Sequence, residues 1–497
     1  MYNQLIQSLI QDTVINNYVP DVSTIDKYLT YLRKTFKFGD SYLANEIHND
    51  TRKKIFDIAI RPCLRYAQSK LDIDLYSRLD HYLFQSYICS IEDLEWFSNA
   101  FWDVNSYGLA IARNIRTRNN IKPKSKISNT KKILFVHKGP FALAHSNVLG
   151  DFLDGIKDSE QNSEVHLLLL DAQPFFIDSV KVTSFANLST VSKKLLAYIQ
   201  FCSSNSFSNI IWVACIQNLA LYMGVGLSDQ QSYWTMKRHS IVFPEITKYA
   251  TFISQYRNQI VNDTFWFGGR YRLKTIPTSK SKLSILDSLS PEVRNKVTGK
   301  FIYGSLARSQ KYHNLDYWKG VEVLLLKTES SIFIYGSQDL PISVKKYILN
   351  SNVLSNKSIN FGWLDGKTAD IASLIQIYVD TIPFGSGLTS AECVLGGGCY
   401  LGTLSEINKE ASFTNVLVDA LNISSKKQYS YNSSLPGCGI FKTFDECISA
   451  ALELSRNVDK ASRLHQLQKA ILMNLDSSGK KYFTSDYLNY FLSDVSH

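Results

Sequence analysis

Residues 361–398 read FGWLDGKTADIASLIQIYVDTIPFGSGLTSAECVLGGG. FGWLDGK is a strand end passing into a loop. Residues 376–380, QIYVD, are short and rich in β-branched and aromatic side chains, as a buried strand requires. PFGSGLTSAECVLGGG is a glycine-rich turn that opens a helix. Such a turn leaves backbone N–H groups free at the positive end of a helix dipole, which suits a phosphate or diphosphate. Gly385 and Gly387 let a ligand approach the backbone closely, because no Cβ intervenes. Thr389 and Ser390 add hydroxyls, and Glu392 is placed to accept two ribose hydroxyls. Ordinary strand-to-helix turns share this spacing, so the turn alone leaves ligand binding and plain structure both open.

Upstream, residues 300–311 give a strand, a loop and a basic pair, Arg308 and Lys311. A fixed cation stabilises a leaving diphosphate without a metal. Ser290-Pro291-Glu292 is a helix start, with Ser as cap and Pro in the first turn. Further upstream, residues 132–137 (KILFVH) form a buried strand that runs into a glycine loop and then the helix VLGDFLDGI. A strand, loop and helix in that order open a Rossmann-like domain, although the loop lacks G-x-G-x-x-G. His145 lies in this loop region, which faces the carboxyl ends of the strands. Imidazole titrates near working pH, so His145 is a candidate general base, with helix capping or acceptor binding as the alternatives. Strands at 165–170 and 209–215 with a helix near 192–201 continue a βαβ rhythm, hence a parallel sheet covered on both faces. Residues 231–240 (QSYWTMKRHS) mix aromatics, cations and His239, and read as a segment leading to an apolar strand or as a surface helix tip. Residues 264–271 read as a loop.

The first 125 residues show apolar spacing of three and four and little glycine, so they read as helical. The basic run 113–132 reads as a linker at a domain boundary. At 497 residues the chain is too long for one core, so two or three domains are expected. Eight scattered cysteines, none in a C-x-x-C pair, fit reduced thiols in a cytoplasmic protein and oppose a disulfide framework or zinc site. No stretch of eighteen apolar residues and no signal-peptide pattern is present. A net charge of +10 suits an anionic partner and permits peripheral membrane contact, although a solvated basic surface explains it equally.

Together these residues resemble the two-Rossmann, or GT-B, glycosyltransferases. Those proteins carry "F-x-G-W-x-D", then "D-x-x-P-F", then "G-G-x-T-x-x-E-A-x-x-x-G". Here the matching residues are Phe361, Gly362, Trp363 and Asp365, then Asp380, Pro383 and Phe384, then Gly387, Thr389, Glu392 and Gly396 to Gly398. Residues 304–311 resemble the "G-R-x-x-K" element that opens the second half of these enzymes. The retaining group has a second glutamate eight positions before the helix glutamate. Phe384 stands there, which places the chain nearer the inverting O-GlcNAc transferase group and its bacterial protein-glycosylating cousins, or glycosyltransferase group 1 relatives.

The resemblance implies an α/β fold of two facing Rossmann-like domains after an all-α domain. The expected domains are helical 1–125, acceptor-side 131–295, and nucleotide-sugar-binding 296–497 with C-terminal helices. It implies transfer from a nucleotide-sugar, with a UDP-sugar favoured, to a protein or glycan acceptor. No separate cofactor, metal or nucleic acid is expected. His145 becomes the catalytic base. His239, Gly304, Arg308, Lys311, Asp365, Gly387, Leu388, Thr389, Ser390 and Glu392 become donor-binding residues. A nucleotide-sugar epimerase of the same fold, or a non-catalytic binding protein, remains the alternative.

Overall fold

The computed structural model describes residues 60–493, apart from 90–93, 123–130, 140–143, 159–162, 175–176, 179, 214–216, 236–241, 252–257, 262, 271–277, 308, 338–339, 365–366, 383–384, 405–412, 425–428 and 431–432. The helical reading of residues 1–59 lies outside the described residues. By contact the chain divides into two units. The first comprises Met1–Thr251, Tyr256–Gly268 and Thr484–His497, and the second Phe252–Gln255 and Gly269–Phe483. Residues 269–295 therefore share the contacts of the second unit, whereas the sequence reading ended the first Rossmann-like domain at 295.

The first unit begins with helices α1 (Arg61–Lys70), α2 (Ile73–Cys89) and α3 (Leu94–Arg118). Its sheet contains β1 (Lys131–His137), β2 (Ser163–Leu169), β3 (Lys181–Ser184), β4 (Asn209–Val213), β5 (Gln231–Thr235), β6 (Lys248–Thr251), β7 (Gln259–Val261) and β8 (Thr264–Phe267). The strand order is β3-β2-β1-β4-β5-β6-β8-β7. All pairs are parallel except β7 with β8. The run 3-2-1-4-5-6 is the Rossmann order. Helices α4 (Ala144–Asp154), α5 (Val191–Asn205) and α6 (Leu219–Gly224) lie in the connections. Ile133, Leu134, Phe135 and Val136 are all fully buried, because a parallel strand covered on both faces has no solvent side.

Three sequence readings change here. Residues 231–235 are themselves the buried strand β5, neither a segment leading to a strand nor a surface helix tip. Their polar Gln231 is tolerated because its amide is fully used: Oε1 accepts from Trp212 Nε1 at 3.1 Å, and Nε2 donates to Met223 O at 3.1 Å. Residues 264–267 are strand β8. The basic run from Arg113 is not a linker at its start: α3 continues to Arg118, and Arg113 pairs with Glu245 at 2.6 Å. Charge density alone cannot separate a linker from a helix face that meets a carboxylate.

The second unit repeats the Rossmann order with β9 (Phe301–Leu306), β10 (Ser331–Gly336), β11 (Ser358–Asn360), β12 (Ile377–Val379), β13 (Cys399–Thr403) and β14 (Ile440–Phe441). The order is β11-β10-β9-β12-β13-β14, all parallel. Helices α7 (Leu315–Lys327), α8 (Ile342–Asn350), α9 (Leu388–Leu395), α10 (Phe444–Arg456) and α11 (Val458–Leu492) accompany it. Their starts are legible as caps. Asn314 caps α7, and Thr443 with Glu446 forms a capping box on α10. Ser290 caps the short helix Pro291–Val297 as the sequence reading expected. The core of this unit gathers Tyr317, Trp318 and Phe333 against Ile348 and Ile448. No described helix is long and apolar enough to cross a membrane.

Helix α11 serves each unit in turn. In the second, Gln468 bonds both the N–H (2.9 Å) and the carbonyl (2.8 Å) of Tyr400. In the first, residues from Thr484 dock on the sheet, with Phe267 stacked on Tyr490 at 4.2 Å. The buried Lys248 ammonium of β6 ends the helix, donating to Tyr490 O (2.7 Å), Phe491 O (3.2 Å) and Ser493 O. A cation against the last carbonyls satisfies groups the helix cannot pair itself and complements its dipole. Lys248→Met should therefore cost about 1–3 kcal/mol. Denaturant unfolding measures the loss, and hydrogen exchange should rise first in 484–492. An unchanged midpoint would rule this role out.

Candidate functional site

In an open parallel sheet, ligands bind beyond the carboxyl ends of the strands where the strand order reverses. In the second unit that point lies between β9 and β12. The two connections leaving these strands carry Lys311 and Gly387 to Glu392 among the residues singled out in the sequence.

After β9 the chain makes a short 3-10 turn, Ser309–Tyr312. Tyr312 anchors it: its hydroxyl donates to Ser305 O at 2.5 Å and accepts from Ala307 N at 3.1 Å. Trp318 Nε1 donates to Tyr312 O at 3.0 Å. The neighbouring Lys311 is half-buried, and its ammonium donates to Gly385 O in the turn after β12. The structure thus brings Lys311 to the glycine-rich turn across 74 positions of sequence.

After β12, Asp380 is 2% exposed and begins the turn. Gly387 is the cap position of α9 and supplies no side-chain cap bond. The first N–H groups of α9 therefore have no side-chain cap and are suited to an anion. Thr389 Oγ1 donates to Leu306 O at 2.7 Å, so its hydroxyl ties α9 to the end of β9. Ser390 Oγ is buried with no partner among the described residues. Leu388 is the first residue of α9. Glu392 follows one turn on. Burial pushes its carboxyl up to about 7, and Oε2 is buried with no partner among the described residues. A buried carboxylate oxygen without a donor is costly, and ligand hydroxyls would complete it.

Gly304 lies within β9. A Cβ there would meet Ile334 O and Ile375 Cδ1 at 2.8 Å, so glycine is required for strand packing. Trp363, one of the motif residues, is 60% exposed just beyond β11, where Gly362 adopts φ +67°. Arg308, Asp365 and His239 lie outside the described residues. His145 is the second residue of α4, in the first turn after the β1 connection.

Sequence reasoning missed three positions. Asp380 was read only as part of a motif, yet its carboxylate accepts from the N–H groups of Thr381 and Ser386. In the first unit, His137 ends β1 and is 1% exposed. Its Nδ1 donates to Val213 O at 3.1 Å, which leaves Nε2 facing Ser146 Oγ at 2.9 Å. Asp80 of α2 is 1% exposed and accepts from Asn218 N at 2.6 Å at the start of α6; burial pushes its pKa up to about 6. The signal for Asp380 was available: an aspartate directly after a buried apolar strand. Asp80 gave none, because its partner lies 138 positions away.

No family model and no curated protein matches the chain. Solved structures do. The O-GlcNAc transferase of Thermobaculum terrenum, in a mutant form, aligns over 98% of this chain and 96% of its own, with 12% identity and a TM-score of 0.51. A glycosyltransferase from Rickettsia africae aligns over 74% of this chain and 100% of its own (12% identity, TM-score 0.47). A putative UDP-N-acetylglucosamine 2-epimerase from Listeria monocytogenes aligns over 74% and 99% (11%, 0.43). At such identities the first of these likenesses speaks to fold alone. With two predominantly parallel sheets, each containing the Rossmann order, the chain has the GT-B fold.

Proposed function

We propose that this protein is a glycosyltransferase that moves a sugar from a nucleotide-sugar, with a UDP-sugar favoured, to a protein or glycan acceptor. The observation that carries this reading is the convergence at one switch point of the Lys311 ammonium, the start of α9 with no side-chain cap and a Glu392 oxygen that has no partner among the described residues. Lys311, with Arg308, takes the diphosphate. The N–H groups from Gly387 to Ser390 take its second face, and Glu392 takes the ribose. His239 and Asp365 complete the donor side. His145 is proposed as the base that deprotonates the acceptor hydroxyl, which attacks the anomeric carbon as the nucleoside diphosphate leaves. Inversion follows from a single displacement, and the cations and helix end supply the charge a metal would otherwise give.

A thermal-shift screen of the full chain against UDP, GDP, CDP and ADP tests the donor site. A nucleotide at about 100 times its Kd should stabilise the protein by about 2.7 kcal/mol. The shift should be confined to one base and absent from Lys311→Ala and Glu392→Ala. No shift from folded wild type with any of the four would reject the reading. Product analysis with the matching sugar nucleotide then separates transfer from release of an epimer.

A further inference from the structure

We propose, on the strength of the diphosphate reading above, that Asp380 is the positioning residue of the nucleotide turn: its carboxylate clamps the two ends of residues 381–386 and so sets the direction in which Gly387 and the first N–H groups of α9 point. One oxygen makes the clamp. Asp380 Oδ1 accepts from Thr381 N at 3.0 Å and from Ser386 N at 2.6 Å. The other oxygen is held from behind, accepting from Tyr400 Oη of β13 at 2.6 Å. Tyr400 Oη in turn lies 2.9 Å from Thr414 Oγ1. Room for that hydroxyl comes from Gly402, where a Cβ would lie 2.2 Å from it.

The clamped turn is also tied to its neighbours. Ser386 O accepts from Phe413 N at 2.9 Å. Ser386 Oγ lies 2.8 Å from Tyr378 Oη, which accepts from Leu306 N at 2.9 Å and lies 3.1 Å from Thr389 Oγ1. The end of β9, the turn and the first turn of α9 thus form one buried hydrogen-bonded network with Asp380 at its centre. A site that binds phosphate through backbone N–H groups depends on those groups being aimed before the ligand arrives. Burying a carboxylate there is costly, and burial pushes its pKa up to about 6, against the pull of Tyr400, Lys311 and the two N–H groups. A full set of hydrogen bonds offsets that cost.

Asp380 also sits near the Lys311 charge, so geometry and charge are rival reasons for its presence. The arrangement of the bonds separates them. Asparagine keeps an Oδ1 able to accept both N–H bonds but removes the charge, whereas alanine removes both. UDP affinity of the full chain is measured by titration calorimetry at 25 °C, beside the denaturant midpoint of each variant. Asp380→Ala should weaken UDP by about 30-fold or more, as expected for losing bonds to a charged buried group. Asp380→Asn should restore affinity to within about 5-fold of wild type. Tyr400→Phe, which removes one support and preserves packing, should weaken UDP by about 5-fold and carries the test if the alanine variant does not fold.

Unchanged affinity in folded Asp380→Ala, or in Tyr400→Phe, overturns the clamp. So does an asparagine variant as weak as the alanine one, because charge would then be the reason. Wild type that binds no nucleoside diphosphate overturns the site reading itself, and the clamp with it.

Discussion

Lys311→Ala should lower turnover of the sugar-nucleotide by about 100- to 1,000-fold, the usual effect of removing one preorganised charge from a developing anion. Its effect on stability should be small. The ammonium is half-buried and donates a hydrogen bond to Gly385 O, a neutral carbonyl. The loss should therefore stay within about 1 kcal/mol. The two readouts diverge because the lysine acts on the diphosphate, most strongly on the extra negative charge that develops as it leaves, and contributes little to the fold. A secondary effect has a definite sign. Lys311 holds the Asp380 carboxyl down against the effect of burial, so removing it should move that carboxyl further up. Steady-state kinetics with the nucleotide identified by the thermal-shift screen, beside an unfolding midpoint, would decide the matter. Full activity in Lys311→Ala would remove the lysine from the donor site.

Glu392→Gln should make the protein more stable at pH 8 and a poorer binder of nucleotide. Burial lifts the carboxyl from an ordinary 4.5 to about 7, so the native state holds a proton that the unfolded chain has already released. The sign follows. Relative to the unfolded chain, this group favours the native state below about pH 4.5. That advantage is lost as pH rises through about 7. Above that, the buried charge costs at most about 3 kcal/mol. Glutamine has no charge to bury, so the variant should gain about 1–3 kcal/mol at pH 8 and nearly nothing at about pH 4. Nucleotide affinity should fall by about 10- to 100-fold, because ribose hydroxyls donate more strongly to a carboxylate than to an amide. For wild type, binding should tighten as pH rises through about 7, where the acceptor becomes charged. Unfolding curves at the two pH values and a UDP titration measure both halves. A variant no more stable at pH 8 than wild type would mean the carboxylate is already satisfied without ligand.

These two substitutions should act in opposite senses on stability, although both residues are proposed for one site. Lys311 donates to Gly385 O, and Glu392 Oε2 has no donor among the described residues. Sites that keep an unpaired buried acceptor hold a stability cost that binding relieves.

Local sequence order determined much about this chain. The buried runs KILFVH and QIYVD, the Ser290 helix cap and the glycine turn before α9 each report interactions within a few residues, and the structure places both strands, that cap and the start of α9 where those signals lie. The same strand and helix order led to two parallel sheets, because parallel strands need crossovers that only such an order supplies. What local order could not decide is which groups meet. Residues 231–235 look polar enough for a loop, yet they form a central strand because Trp212 and Met223 satisfy Gln231 from elsewhere in the chain. Arg113 looks like part of a linker until Glu245 stands opposite it. Lys311 was visible as a cation, but its carbonyl partner lies 74 positions on; Asp380 was visible as a motif letter, but its clamp depends on Tyr400 of the next strand. Only the tertiary structure decided these, because hydrogen bonding and burial depend on distance in space, and the fold brings together residues that the chain keeps far apart.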